Sequence, residues 1–198
     1  SVNIQKLSGY NQTDLLQKLM YQPNENTTHI LNVQISNSSH INRYDRLTET
    51  SNGLPVFAEW YYGPQERLLT SYEVSIGKAG WFDNINLNVN YQAIEESRYT
   101  RDYRRYDRLD GRVENVQVAG FVLDTRKIWG ANELTMGADG QFNTLKSTAS
   151  RVNINTGAST KLDSRYPNGD NTQLNAGLFA QHVFKFKNKK WVLNDGLR

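Results

Sequence analysis

Residues 83–96 alternate between apolar and polar side chains with almost no interruption. The odd-numbered positions from 85 to 93 are apolar or aromatic: Ile85, Leu87, Val89, Tyr91 and Ala93. The even-numbered positions from 84 to 92 are all asparagine or glutamine. A period of two is typical of a β-strand with one apolar and one polar face. At about 3.4 Å per residue this strand would extend roughly 45 Å, well beyond the ~17–20 Å of an ordinary strand.

A long two-faced strand fits two settings. In a transmembrane β-barrel, a tilted strand crosses the bilayer with one face toward lipid and the other toward a polar lumen. In a soluble protein, one face of the sheet packs on a core and the other contacts water. The stretch alone favours neither setting.

Composition excludes several classes of protein. The 198 residues are enough for one domain, but only 37% are hydrophobic and the mean hydropathy is −0.70. No run approaches the ~18 apolar residues of a membrane helix, whereas barrel strands leave almost no hydropathy signal. The net charge of +3 does not support a general nucleic-acid-binding surface. Cysteine is absent from the sequence, which excludes disulfide and thiolate–metal frameworks.

Similar alternation along the chain predicts an all-β fold, an antiparallel up-and-down meander of about eight strands. Turn-forming clusters of Gly, Pro, Asn and Asp separate several of these strands. The predicted strands cover residues 14–21, 30–36, 67–76, 83–96, 113–123, 131–138 and 174–186, and the last begins at Trp191.

The connections between these strands are alternately short and long. They cover residues 22–28, 37–65, 77–82, 97–111, 124–130, 139–172 and 187–190. Because alternate connections of a meander lie at the same end, one end of the sheet should be tight and the other elaborate. Outer-membrane barrels have this asymmetry.

Tryptophan follows the same division. Trp81, Trp129 and Trp191 lie in or beside short connections, and only Trp60 lies in a long one. Amphipathic rings gathered at one end are typical of an interfacial aromatic girdle, although tryptophan near turns is also common in other proteins.

Four blocks of the chain resemble TonB-dependent outer-membrane receptors, particularly those of Bacteroidetes-type bacteria related to haemin, haemoglobin and colicin receptors. The blocks are 43–49 (RYDRLTE), 58–67 (AEWYYGPQER), 91–98 (YQAIEESR) and 164–169 (SRYPNG). The resemblance implies a 22-stranded barrel with an N-terminal plug that imports a scarce nutrient, such as a haem or iron–siderophore ligand, with energy passed through TonB.

The resemblance also implies partners and a location. They are outer-membrane lipid, the transported ligand, TonB through a plug region, and the outer membrane of a Gram-negative bacterium. The chain would supply about eight strands without the plug, so we expect residues 1–198 to form a partial β-barrel domain, a segment of the transmembrane barrel.

Candidate catalytic and metal sites are weak, so we expect neither enzymatic activity nor a cofactor. His29, His40 and His182 have no spacing typical of a metal site. Glu95 and Glu96 are consecutive in a strand and should point to opposite faces, which is unsuitable for paired acids. A calcium loop would use Asp163, Asn168, Asp170 and Asn171, but turn chemistry also explains that run.

Residues 98–112 form the most unusual stretch, with six Arg, three Tyr and three Asp. Arginine and tyrosine together favour anionic or aromatic partners, whereas the interleaved aspartates also allow a solvated, self-paired loop. The pentapeptide RYDRL occurs here at 105–109 and earlier at 43–47, but two copies do not establish a repeat. The predicted ligand-binding residues are Trp60, Tyr61, Arg98, Arg101, Arg104 and Arg105.

Two alternatives to the receptor remain open. One is a soluble β-sandwich or lectin-like module that binds its ligand with the long connections. The other is a complete eight-stranded outer-membrane barrel, although closure requires a finished last strand and the chain from Trp191 to Arg198 breaks off in Asn-Asp-Gly.

Overall fold

A computed structural model describes residues 7–167, 169–187 and 190–198, and antiparallel β-structure dominates it. The strands are β1 (Gln12–Asn24), β2 (Thr27–Ser38), β3 (Ile41–Asn42), β4 (Thr50–Ser51), β5 (Leu54–Pro55), β6 (Phe57–Tyr62), β7 (Glu66–Ala79), β8 (Phe82–Asp102), β9 (Arg108–Trp129), β10 (Asn132–Asn153), β11 (Ser159–Lys161), β12 (Gly169–Lys185) and β13 (Val192–Leu197). One short helix, α1 (Tyr44–Leu47), lies between β3 and β4. In these ranges no helix is long and apolar enough to cross a membrane.

The sheet is an antiparallel meander, as the alternation predicts. Its strands lie in the order β1-β2-β7-β8-β9-β10-β12-β13, so each long strand pairs with the next long strand along the chain. The shorter strands β3, β6 and β11 attach at one end of this sheet, and β4 pairs only with β5. The eight predicted strands correspond to the eight strands of the meander.

Register joins the apolar sides of the strands into one surface. Leu87 of β8 lies opposite Val74 of β7 and Leu123 of β9, and the next rung in the same direction places Val89 between Tyr72 and Phe121. Because side chains alternate along each strand, the asparagines of β8 lie together on the other surface. We call the surface with Leu87 and Val89 the apolar face, and the surface with Asn88 and Asn90 the polar face.

The apolar face has no second layer over it in the described parts of the chain. Large side chains of this face are exposed across the sheet, including Val89 at 40%, Phe121 at 42% and Leu178 at 76%. Within the same residues, Trp60 and Ala149 are the buried hydrophobic side chains. A β-sandwich needs a second sheet to bury such a surface, and the only other described sheet is the two-stranded pair β4–β5.

The sheet is also open at both sides. Strands β1 and β13 form its two edges, and the described residues show no pairing between them. This arrangement differs from a closed eight-stranded barrel, in which the first and last strands pair.

Short connections gather at one end, which we call the tight end. Residues 25–26, 80–81 and 130–131 make tight turns there, and β12 and β13 are joined at the same end. Two residues are left-handed where β7 ends, with φ of 53° for Lys78 in its last residues and 59° for Gly80 in the turn that follows. Residues 188 and 189 of the predicted turn at 187–190 lie outside the described residues.

The connections at the opposite end are shorter than predicted, because three strands continue into them. Residues 97–111 are mostly strand, since β8 extends to Asp102 and β9 begins at Arg108. Residues 139–153, predicted as a connection, belong to β10. At the tight end, residues 124–129, predicted as a turn, belong to β9. The cause is the same in each case: hydrogen bonding to a neighbouring strand continues where the apolar alternation has ended.

Aromatic rings gather at the tight end. The ring centroids of Trp81 and Trp129 are 6.4 Å apart, and Trp129 stacks on His182 at 6.4 Å. Further round the sheet, His29 stacks between Tyr21 and Tyr72, with centroid distances of 6.0 Å to each. These rings form a band at the edge of the apolar face.

Candidate ligand-binding cleft

The ends of β8 and β9 that extend beyond the apolar face carry the charged stretch identified in the sequence. Here β6 replaces β7 as the neighbour of β8, with Tyr62 opposite Arg98 and Trp60 opposite Thr100. Alternation therefore places Trp60, Tyr62 and Arg98 on the polar face, and Tyr61 and Arg101 on the same side as the apolar face.

Trp60 is the centre of an aromatic and arginine cluster on the polar face. It is only 7% exposed, and its ring meets that of Tyr62 edge-on at 4.9 Å. The Arg43 guanidinium lies over both rings, 4.8 Å from the Trp60 centroid and 5.5 Å from that of Tyr62. On the strand side, Arg98 lies 6.0 Å from the Trp60 ring. Contacts of this kind stabilise a guanidinium by cation–π attraction.

Two polar contacts orient Arg43 over these rings. Its Nη1 donates a hydrogen bond to the Tyr62 hydroxyl at 2.6 Å, and its Nε and Nη2 donate to the Asp45 carboxylate at 2.8 and 2.6 Å. The hydrogen bonds from Arg43 lower the pKa of Asp45 to about 2 and raise the pKa of Arg43. Together these contacts tie helix α1 to β6.

Beside this cluster lies a cleft of about 620 Å³ on the polar face, bounded on one side by residues 165–166. Its charged lining residues are Arg67, Glu96, Arg98, Glu114 and Arg165. Two aromatic side chains, Tyr62 and Tyr166, complete the polar part of the wall, and Ile94, Val116 and Leu145 supply apolar surface. A cleft of this volume and mixed lining suits a small-molecule ligand.

The predicted ligand-binding residues do not form one site. Arg98 lines the cleft and lies 6.0 Å from the Trp60 ring beside it, whereas Arg101 forms an ion pair with Glu59 on the opposite side of the sheet. Tyr61 lies on that opposite side too, stacked between His40 at 4.6 Å and Tyr99 at 5.2 Å. Tyr99 in turn covers Gly111, where a Cβ atom would come within 2.9 Å of the tyrosine ring.

Arg104 and Arg105 lie farther out, in the turn at residues 103–107. Arg104 has a φ of 64° and places its guanidinium 5.5 Å from the Tyr103 ring. The structure thus distributes the six predicted residues over the cleft, the opposite side of the sheet and a turn. Their role in ligand binding stays a prediction.

Several cleft residues were not predicted as ligand-binding residues. Among these, the four sequence blocks of the resemblance contain Tyr62, Arg67, Glu96, Arg165 and Tyr166. Membership of a block therefore pointed to cleft residues that composition did not identify. Glu114 lies outside every block, and only the register of β8 and β9 brings it to the cleft.

The structure also locates the residues that the sequence suggested as candidate metal and acid sites. In the described ranges, no group of three or more His, Cys, Asp or Glu residues is arranged to hold a metal ion. Of the proposed calcium loop, Asn168 lies outside the described residues, and the Asn171 amide donates to the Pro167 carbonyl oxygen at 3.1 Å. Glu96 lines the cleft and pairs with Arg67, whereas Glu95 points to the other side of the strand.

No protein-family model matches the sequence, and no curated protein matches it. Solved structures do match. The copper transporter OprC aligns with a TM-score of 0.66 at 13% identity, over 90% of this chain and 26% of OprC. The ferric citrate transporter FecA, in its unliganded form, aligns with a TM-score of 0.63 at 14% identity, over 96% of this chain and 29% of FecA.

The likeness shows the fold. The chain has the antiparallel fold of a β-barrel segment, and it spans between a quarter and a third of the length of these two transporters. At such low identity the ligands named for OprC and FecA do not carry over to this chain.

Proposed function

We propose that the chain is part of the barrel wall of a TonB-dependent outer-membrane receptor, in which residues 1–198 form a partial barrel domain. The observation that carries the proposal is the apolar face, which extends across the eight strands of the meander and is covered by no second layer in the described parts. A large apolar surface is unfavourable in contact with water, and the described parts of the chain provide no protein layer to cover this one. Lipid is therefore the partner that such a face requires.

The polar face then lines the lumen. It carries the asparagines of β8 and the cleft beside Trp60, which we assign as the place where an entering nutrient is held. The receptor performs no bond chemistry; it captures and encloses its ligand during uptake. Support comes from the barrel fold shared with two transporters and from the sequence blocks at 43–49, 58–67, 91–98 and 164–169.

In this proposal the tight end faces the periplasm, and the ends of β8, β9 and β10 project outside the cell. Outer-membrane barrels have short periplasmic turns and longer outer connections, with aromatic side chains at both boundaries of the lipid. The band of Trp81, Trp129 and His182 marks the inner boundary. The haem or iron–siderophore class expected from the resemblance belongs to this proposal and rests on that resemblance alone.

Single-cysteine labelling tests the proposed orientation. Residues 1–198 contain no cysteine, so within them only the introduced cysteine can react. We expect a membrane-impermeant maleimide applied to whole cells to label Arg105→Cys and Lys161→Cys. Glu25→Cys and Lys78→Cys should stay protected until the outer membrane is permeabilised, because the bilayer shields the tight end from the reagent. Equal labelling of both sets on intact cells would contradict the proposed function.

A further inference from the structure

Two like-charged pairs lie opposite each other on the neighbouring strands β8 and β9, at the cleft and directly beside it. Glu96 lies directly opposite Glu114, and on the next rung of the same face Arg98 lies opposite Arg112. Like charges directly opposite each other on neighbouring strands are destabilising. A sheet selected only for stability would place opposite charges on each rung.

Partners within the protein satisfy these charges unequally. Arg67 Nη2 lies 3.2 Å from Glu96 Oε1, so Glu96 is in an ion pair. Glu114 accepts only a long hydrogen bond, from the Ser147 hydroxyl at 3.5 Å. Arg98 Nε is buried and has no hydrogen-bond partner among the described residues. Both Glu114 and Arg98 line the cleft.

The two poorly satisfied groups have opposite charge and lie close together. Arg98 and Glu114 occupy diagonal positions on neighbouring strands, which places their Cα atoms about 7–8 Å apart. A guanidinium with an unused N–H binds a carboxylate or phosphate, and a carboxylate with little internal hydrogen bonding binds an ammonium group. Tyr62 and Tyr166 supply ring surface to the lining of the same cleft.

We propose that this cleft takes a zwitterionic ligand of peptide size, with its carboxylate on Arg98 and its ammonium group on Glu114. The inference rests on the proposed function, because it names the class of ligand held on the polar face of the barrel wall. A purely anionic ligand would face repulsion from Glu114, and a purely cationic ligand would leave the Arg98 guanidinium without an anionic partner. A zwitterion satisfies both groups at once.

Three forms of one small peptide test the proposal. Trialanine with free termini is a zwitterion, N-acetyl-trialanine carries only the carboxylate, and trialanine amide carries only the ammonium group. We expect the protein in detergent micelles to bind trialanine at least tenfold more tightly than either blocked form, measured by isothermal titration calorimetry.

Matched variants assign the two ends of the ligand. Glu114→Gln should abolish the preference for trialanine over the acetylated form, and Arg98→Gln should abolish the preference over the amide. Glu73→Gln, a carboxylate removed on the polar face away from the cleft, should change neither preference. Circular dichroism of each variant establishes that the sheet is retained.

Equal binding of trialanine and its acetylated form, or binding of none of the three, overturns the zwitterion assignment. The cysteine-labelling experiment gives a separate answer on the receptor. Labelling confined to Arg105→Cys and Lys161→Cys, together with no preference among the peptides, leaves the receptor standing and removes only the ligand class. Tighter binding of trialanine than of its blocked forms, together with equal labelling of both sets of cysteines on intact cells, would instead contradict the receptor and keep the ligand class.

Discussion

Arg43 and Asp45 form an exposed ion pair with a specific task, which is to hold one guanidinium over two aromatic rings. Exposed ion pairs contribute little stability because water screens them. The value of this pair lies in geometry: the carboxylate takes the Nε and Nη2 protons of Arg43, which leaves Nη1 for the Tyr62 hydroxyl.

The low pKa of Asp45 makes this contact measurable. We expect the Asp45 carboxylate to titrate near pH 2 by carbon-13 NMR, and Arg43→Gln to return its midpoint toward the ordinary value near 3.8. Because the folded-state pKa lies below the unfolded one, the stabilising contribution is complete above about pH 4 and is lost as the pH falls through about 2.

A neighbouring pair supplies the control. Arg46→Gln removes the ion pair between Arg46 and Glu49 and should leave the Asp45 midpoint low. If the Asp45 midpoint were unchanged in Arg43→Gln, the hydrogen bonds from Arg43 would not be the cause of its low pKa.

One pentapeptide in two places shows the limit of local sequence. RYDRL forms the end of a loop and helix α1 at residues 43–47, but a turn and the start of β9 at residues 105–109. In the first copy Arg43 pairs with Asp45, whereas in the second Asp107 pairs with the adjacent Arg108. The difference comes from the neighbours: β10 pairs with the second copy from Arg108 onward, whereas the pairing of β3 with β6 ends at Asn42, just before the first copy.

At the scale of whole strands, alternation located every strand of the meander but ended several of them too early. Within the apolar face a period of two is visible, because one side of the strand must be apolar. Beyond that face the outer parts of β8, β9 and β10 no longer have one apolar and one polar side, so sequences such as residues 97–102 and 143–153 lose the pattern while the backbone remains paired. Hydrogen bonding to a neighbour leaves no mark in side-chain polarity.

Charge substitutions on the two faces of β8 should have unequal effects. In a bilayer, Leu87→Arg or Val89→Arg should lower the free energy of unfolding by about 2–4 kcal/mol if the side chain lies near the bilayer midplane. Asn88→Arg, on the polar face, should be nearly neutral. Denaturant unfolding of the protein in lipid vesicles measures the difference.

The structure makes Asn88 a better control than Asn86. Asn86 Nδ2 donates to the Asp124 carboxylate at 3.0 Å, so a substitution there also breaks a hydrogen bond between β8 and β9. Equal tolerance of arginine at Leu87 and Asn88 would be incompatible with lipid contact on the apolar face.

At the scale of the whole molecule, the open sheet has consequences for handling. An edge strand presents unpaired N–H and C=O groups that can pair with another chain, and an apolar face without lipid associates with other apolar surfaces. We expect this chain alone to oligomerise in plain buffer and to become monodisperse in detergent micelles, as measured by light scattering after size-exclusion chromatography.

A monomer in plain buffer would argue strongly for the soluble alternative. It would mean that the apolar face is covered in solution, which the described sheet does not achieve. Comparing Val89→Arg with Asn88→Arg tests whether the detergent binds to the apolar face, since only the first substitution should reduce detergent binding.

The sequence by itself determined the periodic features of this protein. Alternation in residues 83–96 and its counterparts predicted the strands and the two faces, turn residues predicted the tight end, and the position of Trp81 and Trp129 predicted the aromatic band. Each of these depends on residues that are neighbours along one strand or one turn, so the physical cause is local and can be read from a short window.

Only the tertiary structure decided which side chains share a site. Glu114 meets Glu96, and Trp60 comes beside Arg98, because the register of β8 with β9 and the replacement of β7 by β6 bring together residues far apart in the chain. Register is set by the summed pairing of whole strands and not by any one residue, so a window of sequence does not contain it. The structure also showed that residues 57–62 and 97–102 are strand, and one step along a strand turns a side chain to the opposite face, which separates Tyr61 from Trp60 and Arg101 from the cleft.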